Sequence, residues 1–213
     1  MIELREFTLA YPGKENLFAP QHFSLAAGES MALCGDSGVG KSSLLYACCG
    51  LIPRQIAADL QGEILLQGKP PASHSPAEHT KLVGMVIQNP EIQLFCGTVE
   101  LEVAFGLENL CVPREEMQTR VREALELVGL WARRGESPSV LSGGQKQLLA
   151  LASVLVLQPK LLLLDEALSQ LDSDACANMM AVLSGLRKRG QTMLIVDHDK
   201  NRRAKLCDRE ILL

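Results

Sequence analysis

Apolar residues recur along the chain in two rhythms, and the switches between them predict its elements. An alternating run at 2–9, a turn at Pro12 and Gly13, and short apolar stretches at 22–26 and 31–34 predict strands near the start of the chain. Residues 41–51 read as a helix, and the glycine-bounded segment 62–68 reads as a strand. The segment 69–80, with three prolines, is expected to be a surface loop whose His74 and His79 are solvated. Between 91 and 129 the pattern turns helical. Pro113, Glu115 and Glu116 open a helix, Val121, Ala124, Leu125 and Val128 form one stripe, and Gly129 ends it. Continuous apolar runs at 161–164 and 193–196 read as strands flanking a helix over 172–189. That helix has Asp172 and Asp174 at its start, Arg187, Lys188 and Arg189 at its end, and Gly190 beyond, matching the helix dipole at both termini. Apolar strands alternating with helices predict an α/β fold with a buried, mostly parallel sheet.

Composition narrows the class. At 213 residues, 47% hydrophobic and 22% charged, the chain is sized and balanced for one folded domain, not for disorder. A net charge of −4 supplies no basic field, so nucleic acid is not an expected partner. The longest apolar stretch, 148–157, contains Ser153 and is far shorter than the roughly 20 residues of a membrane span, so it predicts a core helix. The first residues carry no signal-peptide pattern, and a cytosolic location is expected. Seven cysteines, at 34, 48, 49, 96, 111, 176 and 207, include no Cys-x-x-Cys pair and no His at zinc-ligand spacing. They are expected to be reduced and mostly buried.

Three motifs carry chemistry. Gly35-Asp-Ser-Gly-Val-Gly-Lys41-Ser42 follows a strand and opens a helix, the context in which glycines let backbone N–H groups turn around phosphate oxygens. In that loop Lys41 reaches the β- and γ-phosphates and the Ser42 hydroxyl ligates Mg²⁺. Asp165 and Glu166 close an apolar strand, where α/β sheets place their ligands. Asp165 there would complete a Mg²⁺ shell through water and Glu166 would polarise an attacking water as general base, the alternative being an ordinary strand end. Leu141-Ser-Gly-Gly-Gln145 places Ser142 to cap a helix whose first N–H groups are open to an anion.

In this order the motifs resemble the ATP-binding subunit of an ABC transporter over essentially the whole chain. The resemblance implies a P-loop NTPase core with a mostly parallel sheet, an N-terminal antiparallel β subdomain and an inserted helical subdomain at roughly 89–145. It implies nucleotide contacts at Gly35, Asp36, Ser37, Gly38, Val39, Gly40, Lys41, Ser42 and Ser43. Tyr11 looks like the aromatic that stacks on adenine, its alternative being an ordinary turn tyrosine before Pro12. Ser142, Gly143, Gly144 and Gln145 resemble the signature, and Ser169 to Asp172 the D-loop. Ser42, Gln88 and Asp165 are implied as Mg²⁺ ligands, Glu166 as the catalytic base, and His198 as the switch histidine at the γ-phosphate. Gln88 would also contact attacking water and relay state to the membrane subunit.

Each ATP of such a subunit lies between Walker A of one copy and the signature of another. The implied partners are therefore a second ATPase subunit, identical or paralogous, and a transmembrane coupling subunit at the cytoplasmic face of the membrane. More narrowly, residues 88–110 look like the corresponding segment of energy-coupling-factor importers of vitamins, cobalt and nickel. Phe95 and its apolar neighbours are candidates either for the groove that receives a coupling helix or for packing within the helical insert. Ala167 and Leu168 stand where the family commonly has Pro and Thr or Ser, and Leu148 where it commonly has Arg. None of these changes removes a group assigned to phosphate, metal or water. The chain ends at Leu213, and a C-terminal dimerisation extension is expected to be missing or not included. Two rival readings are a small-molecule P-loop kinase, which 141–145 and His198 oppose, and a soluble ABC ATPase acting on nucleic acid or ribosomes. The second predicts a coiled-coil insertion, a second ATPase domain or a basic face, for which the sequence offers only Arg202, Arg203 and Lys205.

Overall fold

The computed structural model describes residues 1–213. Strands β1 (Ile2–Ala10), β2 (Gln21–Leu25) and β3 (Ser30–Cys34) lead into α1 (Lys41–Cys48) and a short turn of helix, α2 (Leu51–Arg54). Next come β4 (Asp59–Leu66), α3 (Pro76–Leu82) and β5 (Val83–Val86), then α4 (Val99–Asn109), α5 (Arg114–Leu127) and α6 (Gly143–Leu155). The chain closes with β6 (Leu161–Asp165), α7 (Ser173–Lys188), β7 (Thr192–Val196), α8 (Lys200–Leu206) and β8 (Arg209–Leu212).

Two sheets form, and the sequence patterns explain why they differ. The alternating β1 sits antiparallel between β2 and β4 in a three-stranded sheet. The continuously apolar β6 and β7 belong to a five-stranded sheet of order β5-β6-β7-β3-β8, parallel throughout. Both faces of that sheet are covered. Leu161, Leu163, Leu194 and Val196 face a core shared with α1 and the antiparallel sheet, whereas Leu162, Leu164, Met193 and Ile195 face α6 and α7. A strand buried on both sides needs apolar residues at every position, which accounts for the unbroken runs.

The parallel register sets the geometry of everything above it. Val86, Leu164, Ile195 and Ala32 pair in one row across four strands. Loops therefore leave β5, β6 and β7 at a common level, carrying Gln88, Glu166 and Asp197 each two residues past that row, while β3 runs on to Cys34.

Several expectations need correction. The segment 69–80 is not all loop, because Ser75 and Glu78 form a capping box with Pro76 in the first turn, starting α3. His79 on α3 is half-buried with its ring nitrogens shielded from solvent, and burial lowers its pKa. His74 meets the Leu66 carbonyl at 3.1 Å, so neither histidine is fully solvated. The first helix stops at Cys48 because Gly50 takes a left-handed conformation, φ 72°. Only Cys48 and Cys207 are buried; Cys111 is exposed and the other four cysteines are half-buried, so the thiols are free but not mostly buried.

β4 begins at Asp59, earlier than its glycine boundary suggests, because it pairs with β1 on both sides of a bulge. Glu6 and Phe7 together oppose Gly62, and a Cβ at Gly62, φ 75°, would lie 2.2 Å from the Glu6 carbonyl oxygen and 2.5 Å from that of Arg5. At Gly68, φ 79°, a Cβ would meet nothing within 4 Å. Gly68→Ala should therefore cost only the left-handed penalty, about 1 kcal/mol. Gly62→Ala adds a backbone clash and should cost more than about 2 kcal/mol in urea unfolding; equal midpoints for the two variants would refute the bulge argument.

Candidate functional site

The loop after β3 turns through three glycines with positive φ, Gly35 (146°), Gly38 (84°) and Gly40 (105°), before α1 begins. Gly40 caps that helix with no side-chain oxygen, so the first N–H groups of α1 stay open to an anion. Its missing side chain also admits close packing, since a Cβ there would meet Phe18 at 3.0 Å. Lys41 Nζ donates to the carbonyls of Gly35 (2.8 Å) and Asp36 (2.7 Å), which holds the ammonium inside the loop. Ser42 Oγ donates to Asp165 Oδ1 at 3.0 Å across the gap between the α1 and β6 ends. Tyr11 lies beside this loop, with its hydroxyl 2.8 Å from Ser43 Oγ and its carbonyl accepting from Lys14 N at 2.9 Å. It is thus both a turn residue and a neighbour of the phosphate loop.

Asp165 is buried, and desolvation raises its pKa above the ordinary carboxylate range. The Ser42 hydroxyl and the Lys41 charge oppose that shift, and the Glu166 charge adds to it. Glu166 has left-handed backbone, φ 50°, an unusual conformation for a residue with a side chain. Three sets of bonds hold it there. Its N–H donates to Val196 O (3.0 Å), its carbonyl accepts from Ser169 N (3.0 Å) and Ser169 Oγ (2.8 Å), and Oε1 pairs with His198 Nε2 (2.8 Å). Gln88 Nε2 donates to Ser169 Oγ at 3.4 Å, so Gln88, Ser169, Glu166 and His198 form one hydrogen-bonded chain.

Sequence reading missed the residues that fix His198. Asp197, buried, accepts two bonds of 2.8 Å from Arg202, and its carbonyl accepts from Arg203. Asp199 caps α8 through Asn201 N and Arg202 N. An acid on each side of a histidine, with arginines a helical turn later, is the pattern that could have signalled this frame.

The signature lies apart. Ser142 and Gln145 form a capping box at the start of α6, and no hydrogen bond or ion pair joins residues 142–145 to residues 35–43. Its two glycines have different reasons. At Gly143 a side chain would meet nothing, which leaves the helix start open, whereas a Cβ at Gly144 would lie 2.2 Å from Ala175 Cβ on α7. Asp172 caps α7 by accepting from Ala175 N at 2.8 Å.

The segment that follows Gln88 in the sequence exposes apolar surface. Ile92 is 75% exposed and Phe95 66%, with Leu101 and Phe105 also exposed, and the two phenyl rings meet edge to face at 4.8 Å. The buried Glu102 accepts from Phe95 N (2.9 Å) and Cys96 N (2.6 Å), fastening this loop to α4. Gln147 Nε2 holds the Ile87 carbonyl at 2.8 Å, and Lys146 pairs with Glu91.

A family profile described as ABC transporter matches residues 18–169. A protein of Pyrococcus horikoshii, provisionally named an ABC transporter ATP-binding protein, is 41% identical over 215 residues, which span 100% of this chain and 75% of that one. The energy-coupling factor transporter ATP-binding protein EcfA of Methanocaldococcus jannaschii is 37% identical over 201 residues, covering 93% of this chain and 70% of its own. Among solved structures, cbiO1 from Clostridium perfringens, described as part of the ABC transporter complex cbiONQ, superimposes with a TM-score of 0.86 at 31% identity. The match covers 99% of this chain and 83% of that one.

The Asp165 pKa has a consequence for stability. A carboxyl whose folded pKa is raised loses stability as pH rises from its unfolded value, about 3.9, through the folded one, because the folded state holds the proton more tightly. Asp165→Asn removes that cost, so without nucleotide its Tm should exceed the parent's at neutral pH, with the gap closing below about pH 3.9. A lower Tm at neutral pH would show that burial is not the dominant influence on this carboxyl.

Proposed function

This chain belongs to the ABC transporter family and is an ATPase coupled to transport; from that premise we propose that it energises an importer of energy-coupling-factor type, carrying a vitamin or a transition-metal ion. The observation that carries the finer reading is the exposed Phe95–Phe105 pair beside Gln88, within a segment whose sequence resembles that group. Similarity to EcfA and cbiO1 along nearly the whole chain supports it. We assign residues 89–145 as a helical subdomain inserted in the core, and the phenyl pair as the contact for a transmembrane coupling subunit. No helix of the chain is long and apolar enough to cross a membrane, which suits a subunit held peripherally at the cytoplasmic face.

In this reading the N–H groups of residues 38–43 and the Lys41 ammonium hold the phosphates, and Tyr11 stacks on the adenine. Ser42 and Asp165 present a hydroxyl and a carboxylate 3.0 Å apart, and Gln88 follows β5, the strand paired with β6, while no cluster of three or more His, Cys, Asp or Glu is placed to hold a metal ion alone. Such a partial oxygen shell fits Mg²⁺, which prefers one or two protein ligands plus phosphates and water. When bound, Mg²⁺ neutralises charge on the phosphate oxygens. Glu166 takes a proton from the attacking water, aimed by its left-handed backbone and by the 2.8 Å contact of Oε1 with His198 Nε2, and His198 is assigned to the γ-phosphate. Ser142 to Gln145, with Asp172 of the D-loop, serve the site of a second ATPase subunit, identical or paralogous. Their separation from the P-loop within one chain supports that arrangement. Closure of such a pair on ATP and its reopening after hydrolysis would move the Gln88 segment and with it the membrane partner.

Glu166→Gln should retain ATP binding, lower turnover by at least ~10²-fold and accumulate a closed dimer, since general-base contributions are of that size; turnover at the parent rate would remove Glu166 from the role of base. Phe95→Ala combined with Phe105→Ala should abolish co-purification with a membrane protein while nucleotide binding, followed by a fluorescent ATP analogue, stays unchanged. Undiminished co-purification would return the phenyl pair to internal packing.

A further inference from the structure

The apolar patch and the signature are joined through one side chain that neither motif contains. The first helical N–H groups of α4 are not satisfied within that helix. Val99 N donates to the Glu136 carbonyl and Glu100 N to the Arg134 carbonyl, both at 2.9 Å. The turn 131–137 that supplies those carbonyls is braced by Arg133, which holds Glu136 Oε2 through Nε (3.0 Å) and Nη2 (2.6 Å). The remaining Arg133 nitrogen, Nη1, donates to Gln145 Oε1 at 2.6 Å. That oxygen also accepts from Ser142 N at 3.0 Å, so Arg133 holds the same amide that closes the signature's capping box. On its other side α4 carries Leu101 and Phe105 and, through Glu102, the Phe95 loop. A displacement of the patch therefore reaches Gln145 through rigid parts and short bonds: α4, two backbone carbonyls, the guanidinium and the amide.

We propose that Arg133 is a positioning residue for ATP hydrolysis, setting the orientation of the signature according to the position of the partner-facing patch. The inference rests on the reading above in which residues 142–145 serve a neighbouring subunit's ATP. Arg133 touches neither nucleotide nor metal in that reading and acts only through Gln145. A guanidinium is suited to the task because its fixed fork engages a carboxylate with two nitrogens and an amide oxygen with a third.

The test exchanges the ion pair. Arg133→Glu with Glu136→Arg keeps opposite charges in the turn but leaves a carboxylate at 133, which cannot donate to Gln145 Oε1. Variants are purified from membranes as the complex retrieved through a tag on this chain, and hydrolysis is followed across Mg·ATP concentrations. The exchanged pair is expected to keep a Tm near the parent's and an unchanged KM, with kcat lower by about tenfold or more, the usual consequence of losing a hydrogen bond to a charged group. A kcat at the parent level, or one that falls only in step with Tm, overturns the proposal. Should the exchanged pair not fold, Arg133→Lys, which keeps a donor, is compared with Arg133→Met, which does not; equal kcat in the two overturns it as well. Glu166→Gln in the same preparation separates the two readings. If it too turns over at the parent rate, the assigned active site is wrong; if it is inert while the Arg133 variants are unaffected, the strut alone fails.

Discussion

Everything at the top of this molecule depends on the register of one parallel sheet. Because Val86, Leu164, Ile195 and Ala32 pair in a single row, loops from strands scattered over the sequence leave the sheet at the same height. Parallel strands all end on the same side, so their carboxyl ends gather in one crevice. A slip of one residue in β6 would turn Asp165 from the Ser42 hydroxyl and send Leu164 to the wrong core, since the side-chain period is two. The two cores that grip alternate residues of β6 and β7 are thus what holds the carboxylate in place. Packing and chemistry share one constraint.

The parts of the fold legible in the sequence were those where one local rule decides. Unbroken leucines announced a strand buried on both faces, and acids at the start and bases at the end of the helix over 173–188 announced that helix. The phosphate loop was readable because its glycines satisfy a backbone requirement independent of the surroundings. What was hidden depends on two segments at once. Three prolines suggested a loop at 69–80, yet Pro76 falls where a helix accommodates proline and Ser75 with Glu78 supplies the cap. The reason for Gly144 resides in Ala175 on another helix, and that for Gly62 in a bulge of β1. No local pattern marks Arg133, Glu102 or Gln147, because their partners are groups that only the folded chain brings near.

The same distinction separates the two halves of the candidate site. Residues that surround the phosphate loop are tied to one another directly, through Lys41, Ser42, Asp165, Glu166 and His198. Signature residues are tied both to α7, through Gly144 against Ala175, and to the turn that holds the start of α4, through Arg133 and Gln145. In the proposed reading, one chain would therefore present its phosphate contacts from the sheet and its signature from beside the proposed partner surface.

Costs to stability are distributed in the same way. A buried carboxylate at Asp165, left-handed backbone at Glu166 and an exposed Phe95 are each unfavourable for a folded monomer, and none is required by the sheet or its two cores. They are confined to the strand ends and to the flank beside Gln88, while the strands beneath are apolar at every buried position from Leu161 to Leu164. Features that a core does not need, gathered at the strand ends and near the proposed partner surface, fit the proposed binding roles better than a folding role. The apolar sheet is what makes them tolerable, because its burial on both faces leaves stability to spare for a desolvated acid and a strained turn at its edge.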